Sequence, residues 1–237
     1  GNVSSRDAGA MRNTGEATFV NVTIAGNRAS IGDGGAINNF GDLSVLNSTI
    51  TGNFASNLGG GIYAYQSGSV TLANTIVAGN DVLNTGKDID GHAFATLLLQ
   101  GVNILGSAPT GFENTGYDAG GDIILGQGNG YTLKDVFHNV EANAYTIVLS
   151  GRLADNGGST QSVLISAAGL AWNTGSLAAL PMDEFDVDGV RFVKSVEEAV
   201  SIAENYGKDV LFIGGKGISG EALGLVDELC VSHVKED

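Results

Sequence analysis

The sequence predicts an all-β parallel β-helix, a solenoid of stacked turns, followed by a small C-terminal α/β (βαβαβ) segment. Three observations carry this reading. A short phrase recurs as Asn21-Val-Thr-Ile24-Ala-Gly26-Asn27, Asn47-Ser-Thr-Ile50-Thr-Gly52-Asn53 and Asn74-Thr-Ile-Val77-Ala-Gly79-Asn80, with a worn copy at Val102-Asn103-Ile104-Leu105-Gly106. Its glycines, Gly26, Gly52, Gly79 and Gly106, are 26, 27 and 27 residues apart. A second marker, Gly34-Gly35-Ala36-Ile37, returns 26 residues later as Gly60-Gly61-Ile62-Tyr63, and two markers with one period are the signature of a repeat architecture. The third observation is a change of composition near residue 182. Up to that point the chain has 13 acidic and 6 basic residues and 30 of its 37 glycines, and the last 55 residues have 13 acidic, 5 basic and 7 glycines.

The repeat could be helical or β, and its residues decide. Phe19 to Ile24, Leu43 to Ile50 and Val70 to Val77 are rich in β-branched residues, partly alternating, and bounded by Gly, Asn and Asp, which is strand patterning. None holds an apolar stripe at helical spacing for three turns. Each repeat is therefore several short strands joined by tight turns, with successive repeats about 4.8 Å apart. Sharp corners need positive φ, which Gly and Asn tolerate best. Stacked Asn side chains are also expected to repeat hydrogen bonds from turn to turn. The sequons Asn21-Val-Thr23 and Asn47-Ser-Thr49 coincide with the repeat and are read as structural.

Composition excludes several classes of function. The net charge of −15 is spread over both parts without a basic stripe, which argues against a nucleic-acid partner. No run of 18 apolar residues occurs, so no membrane span is expected. The single cysteine, Cys230, leaves no intramolecular disulfide. The chain opens on repeat-like residues, so its start is read as a boundary inside a longer solenoid, whose open end offers strand edges for self-association. The expected division is 1–182 β-helix, 183–189 acidic linker and 190–237 α/β segment.

The Gly-Gly-Ala-Ile marker followed by Asn-x-Thr-Ile-x-Gly-Asn resembles the repeats of bacterial right-handed parallel β-helix proteins, including polymorphic outer-membrane proteins. Leu153-Ala-Asp155-Asn156-Gly157-Gly158-Ser159-Thr160-Gln161-Ser162, continuing to Gly169, Trp172, Asn173 and Gly175, resembles the closing segment of choice-of-anchor β-helix proteins. Gly169-Leu170 departs from the usual Ser-Pro there. The resemblance covers most of residues 11–188 and implies a secreted or surface-exposed, non-catalytic module, adhesin- or passenger-like, with a surface ligand or glycan as partner. No catalytic residue is assigned. The carbohydrate-active enzymes that share the architecture require paired carboxylates. Here Asp7 and Asp33, 26 apart, read as equivalent turns, and Lys87, Asp88, Asp90 and His92 read as a solvated loop in preference to a cation or proton-transfer site.

Glu184-Phe-Asp186-Val-Asp188-Gly189 has the acids of positions 1, 3 and 5 and the glycine of position 6 of a calcium loop, but Ser195 stands at position 12. Glu184, Asp186 and Asp188 are thus candidate calcium ligands, weighed against an acidic linker. Beyond them, Val190 to Val193, Asp209 to Ile213 and Leu229 to Val234 read as strands. A helix between the first two opens on the capping box Ser195/Glu198, and a second, short helix leads to the third. Ser195-Val-Glu-Glu-Ala199, Val210-Leu-Phe-Ile-Gly214-Gly215 and Ala222 to Leu229 resemble the C-terminal half of dihydrofolate reductase. That resemblance implies that Gly214, Gly215 and Lys216 contact the NADPH pyrophosphate, a vestigial site because the folate-binding half is missing. It also implies a cytoplasmic location, against the surface location implied by the β-helix. Such a joining is expected of a chimeric or fragmentary reading frame. Three readings stand at this point: a non-catalytic surface solenoid, a nucleotide-binding tail, and a carbohydrate-active β-helix.

Overall fold

The Asn and Gly punctuation does bend the chain. In the computed structural model, Asn21, Asn47 and Asn74 adopt φ of 56°, 48° and 48°, and Gly26, Gly52 and Gly79 adopt 70°, 67° and 75°. Each apolar run of the repeat is thereby cut into two strands with a left-handed Asn corner between them. The structure describes residues 1–175 except 84–86, 118–120, 144, 158–159 and 173. The chain divides into two units, Gly1–Leu180 and Pro181–Asp237, and all described residues belong to the first. The βαβαβ tail, with Glu184, Asp186, Asp188, Gly214, Gly215 and Lys216, lies outside them.

About four turns of parallel solenoid result. The first consists of β1 (Val3–Ser4), β2 (Met11–Asn13), β3 (Glu16–Val20) and β4 (Thr23–Ala25), and the second of β5 (Arg28–Ala29), β6 (Ile37–Asn39), β7 (Asp42–Leu46) and β8 (Thr49–Thr51). The third has β9 (Phe54–Ala55), β10 (Ile62–Ala64), β11 (Ser69–Ala73) and β12 (Ile76–Val77), and the fourth β13 (Asp81–Val82), β14 (Ile89–Gly91), β15 (Thr96–Gln100) and β16 (Ile104–Leu105). Two strands, β17 (Asn114–Tyr117) and β18 (Ile123–Ile124), begin a fifth. Equivalent strands stack into four parallel sheets that start from β1, β2, β3 and β4.

The register places like over like. Ile24 pairs with Ile50, Ile50 with Val77, Val77 with Leu105 and Leu105 with Ile124. Met11, Ile37, Ile62 and Ile89 form a second column, and Ala17, Leu43, Val70 and Leu97 a third. These columns meet in one continuous interior core. Each fully buried Ile or Leu there contributes about 1.5–3 kcal/mol of transfer free energy.

The outward column of the fourth sheet changes character along the stack. It reads Thr23, Thr49, Ile76, Ile104, Ile123. The three isoleucines pack against Val136, Phe137, Leu153, Val163 and Ile165 in a second core. The chain after Ile124 supplies this cover through a 3-10 turn (Leu133–Asp135) and two antiparallel hairpins, β19 (Val140–Ala142) with β20 (Leu149–Gly151) and β21 (Leu153–Ala154) with β22 (Ser162–Val163). The first hairpin reaches back along the solenoid, where Gly151 N–H donates to Thr51 Oγ1 at 3.0 Å and Arg28 lies 4.7 Å from the Tyr145 ring centroid. In this column apolar residues thus occupy the outward positions only where something covers them. Among the described residues, parallel stacking ends at Ile124, and no helix is long and apolar enough to cross a membrane.

Candidate functional site

The part of the sidewall richest in side-chain chemistry lies along the second sheet and its corner with the third. Phe40, Tyr65 and His92 hold one position in successive turns, since their backbone N–H groups donate to Asn13, Asn39 and Ala64 carbonyls at 2.8, 2.7 and 2.8 Å. Their rings make a column. Arg12 lies 4.4 Å from the Phe40 centroid, Phe40 is 4.9 Å from Tyr65, Tyr65 5.5 Å from His92, and His92 5.5 Å from Phe94. Interplanar angles of 44–51° bring ring edges toward neighbouring faces, a favourable quadrupole arrangement. Phe94, at the upper end, is 63% exposed.

Beside the rings, Arg12, Asn38, Tyr63 and Asp90 share one register position of the second sheet. Asp7 and Asp33 belong to the loops that lead into it, and Asp90 lies within β14 itself. Each carboxylate accepts from the backbone of another segment: Asp33 N–H donates to Asp7 Oδ1 at 3.1 Å, Leu58 N–H to Asp33 Oδ1 at 3.1 Å, and Gly59 N–H to Asp90 Oδ2 at 2.9 Å. Asn57 Nδ2 also donates to Asp33 at 2.7 Å, and Lys87 N–H to Asp90 at 2.8 Å. The Thr110 hydroxyl donates to Asp90 Oδ1. Burial lifts the Asp33 carboxyl above its usual range, the Asn57 hydrogen bond opposes the rise, and the charge of Asp7 adds to it. Burial likewise raises the Tyr63 phenol, with the Asp33 charge next in effect. Asn38 Oδ1 and His92 Nδ1 are buried without a hydrogen-bond partner.

Asp7 and Asp33 do occupy equivalent turns, as their spacing suggests. The solvated-loop reading of Asp88 and Asp90 needs correction, because both are buried. The hydrogen bonds their carboxylates receive from surrounding backbone and side chains explain why: these acids pin loops to the wall. Among the described residues no group of three or more His, Cys, Asp or Glu is placed to hold a metal ion.

The expected amide ladder is present. Asn27 Nδ2 donates to Asn53 Oδ1 at 2.9 Å, Asn53 Nδ2 to Asn80 Oδ1 at 2.8 Å, and the backbone N–H of Asn27 and Asn53 donates to the same acceptors at 3.0 and 3.1 Å. Its upper end is a surprise. The next turn has Ser107 where the repeat calls for Asn, and the Asp88 carboxylate fills the vacated position. Asp88 Oδ1 accepts Asn80 N–H at 2.7 Å and Asn80 Nδ2–H at 3.0 Å, while Ser107 Oγ–H donates to Oδ2 at 3.1 Å. Burial pushes Asp88 up to about 6, with the Asn80 hydrogen bonds holding it down and the Asp81 charge raising it further.

The ring column was absent from the sequence reading, although Phe40, Tyr65 and His92 are spaced by 25 and 27 residues. That near-period signal is hidden by the mixture of ring types. The Asp155-Asn156-Gly157 motif builds the turn of the last hairpin: Gly157 N–H donates to Asp155 Oδ1 at 3.0 Å, and Asn156 Nδ2 donates to Ser162 O at 2.9 Å. Comparison of the chain with protein-family models, curated proteins and solved structures gives no match.

Proposed function

We propose that the chain is a non-catalytic β-solenoid module of a secreted or cell-surface protein, adhesin- or passenger-like, that binds a surface glycan along the ring column of its second and third sheets. The observation that supports it is how the acids are used. Asp7, Asp33, Asp88 and Asp90 accept hydrogen bonds from surrounding backbone. A carboxylate held as a backbone acceptor is poorly placed to carry protons or attack a substrate, whereas general acid and base work needs a group aimed at the reacting bond. The rings between Phe40 and Phe94, with Arg12 at the foot, supply apolar edges beside polar groups, a combination suited to gripping a polyhydroxylated chain. The family reading, a relative of polymorphic outer-membrane or choice-of-anchor proteins, rests on the repeat phrase and on the Asp155-Asn156-Gly157 turn.

The test is a panel of immobilised extracellular and cell-wall glycans, read both for retention of the chain and for released sugar. Retention without product is expected, and Phe94→Ala is expected to weaken it by roughly tenfold, as an anchor residue does. Release of oligosaccharide would overturn the non-catalytic reading, and retention untouched by Phe94→Ala would overturn the assignment of the face.

A further inference from the structure

We propose that Asp88 is a proton-operated clip at the end of the Asn ladder, so that the fourth turn of the solenoid holds more tightly in a mildly acidic medium than in a neutral one. The geometry is that of a group built to work with or without a proton. Oδ1 is committed to Asn80, which gives it two N–H donors at 2.7 and 3.0 Å. Oδ2 faces one hydroxyl, Ser107 Oγ at 3.1 Å, and a hydroxyl can donate or accept. With Asp88 ionised, Ser107 donates to it. With Asp88 protonated, Oδ2–H donates to Ser107 Oγ and the Asn80 bonds remain. The space is tight: a Cβ on Gly106 would lie 2.5 Å from Oδ2, so the segment carrying Ser107 sits directly on the carboxylate.

The surroundings decide which state the fold prefers. Asp88 is 6% exposed, and no ion pair to it occurs among the described residues. The charged groups around it are Asp81, on the strand that follows Asn80, and Lys87 and Asp90, on its own segment. The chain across the clip offers only Gly106 and the Ser107 hydroxyl. Asp81 disfavours a second negative charge, and a buried carboxylate without a cation is a charge held out of water. Burial therefore favours the proton in the folded state.

The sign follows from linkage. An ordinary unfolded Asp binds its proton near pH 3.9, and the folded Asp88 near pH 6. Between those values the native state binds more protons than the unfolded one, so stability rises as pH falls from about 6 toward 4, and the contribution vanishes above 6. For this group alone the folding equilibrium constant gains about tenfold between pH 7.5 and pH 5.

The experiment compares the denaturant stability of the full chain and of Asp88→Asn at pH 7.5 and pH 5.0. An Asn side chain mimics the protonated acid, since its carbonyl accepts from Asn80 and its amide donates to Ser107. The variant is expected to be more stable than the parent at pH 7.5 and to lose about tenfold of the parent's gain on acidification. Equal gains in parent and variant would overturn the clip. Carbon-13 titration of the Asp88 carboxyl in the parent provides a measurement that needs no substitution. A midpoint near 6 supports the proposal, and one in the ordinary aspartate range overturns it.

Discussion

Two hydrogen-bonded ladders climb the solenoid, and they differ in what passes from turn to turn. The first is made of amides, Asn27, Asn53 and Asn80, and ends on Asp88. The second runs through Ser48, Thr75 and Asn103 and ends on Asp122. In both, a side chain accepts the backbone N–H of the turn below: Ser48 N–H donates to Thr75 Oγ1 at 3.4 Å, Thr75 N–H to Asn103 Oδ1 at 2.9 Å, and Asn103 N–H to Asp122 Oδ1 at 2.8 Å. Only the amides also donate upward at every step. The hydroxyls of Ser48 and Thr75 turn back to local carbonyls, Leu46 O at 2.6 Å and Ala73 O at 2.9 Å. An amide both gives and receives in one plane, so a column of them is continuous. A hydroxyl has a single proton to commit. The ends differ as well, since Asp88 is sealed and Asp122 is half-buried.

The comparison is broken most severely in the middle of the amide column. Asn53→Ala removes donations to Ile24 O, Thr51 O and Asn80 Oδ1 at 3.0, 3.1 and 2.8 Å and the acceptor of two donors on Asn27. At about 1–3 kcal/mol for each buried group left unsatisfied, a loss of about 3 kcal/mol or more is expected, read by urea unfolding. The matching change in the other column, Thr75→Val, keeps the shape and removes one hydroxyl, so about 1–2 kcal/mol is expected from the same measurement. If the two losses were equal, continuity of the amides would count for nothing. The smallest effect belongs to Asp122→Asn. Its site is half-buried and an Asn carbonyl keeps the acceptor for Asn103 N–H, so a stability change within about 0.5 kcal/mol is expected from the same urea unfolding.

The solenoid and its amide column were legible because both are periodic. Asn21, Gly26 and Asn27 recur in register, and a backbone that must corner and pair at fixed heights leaves few other residues able to do so. The role of Asp88 was not legible. It stands eight residues beyond Asn80, outside the repeat phrase, and nothing in its neighbours distinguishes a buried acceptor from a solvated loop acid. The only trace was Ser107, the residue that breaks the Asn series. The cover over Ile76, Ile104 and Ile123 was equally hidden, because antiparallel hairpins after Ile124 carry no period. Yet the switch from Thr23 and Thr49 to isoleucine in the outward column is written in the sequence, and it marks where a lid must lie. The ring column needs three residue types to be recognised as one class.

The amide ladder has a direction. Every Asn gives upward and receives from below, so a block of 26 residues such as 27–52 could be copied into the middle of the stack and both new junctions would match. Beyond Asp88 the rule fails, because an ionised acid has nothing to hand on. Gene duplication can therefore lengthen this amide column from within, while its upper end stays fixed by a single side chain, much as a zip fastener is made longer or shorter without moving its stop.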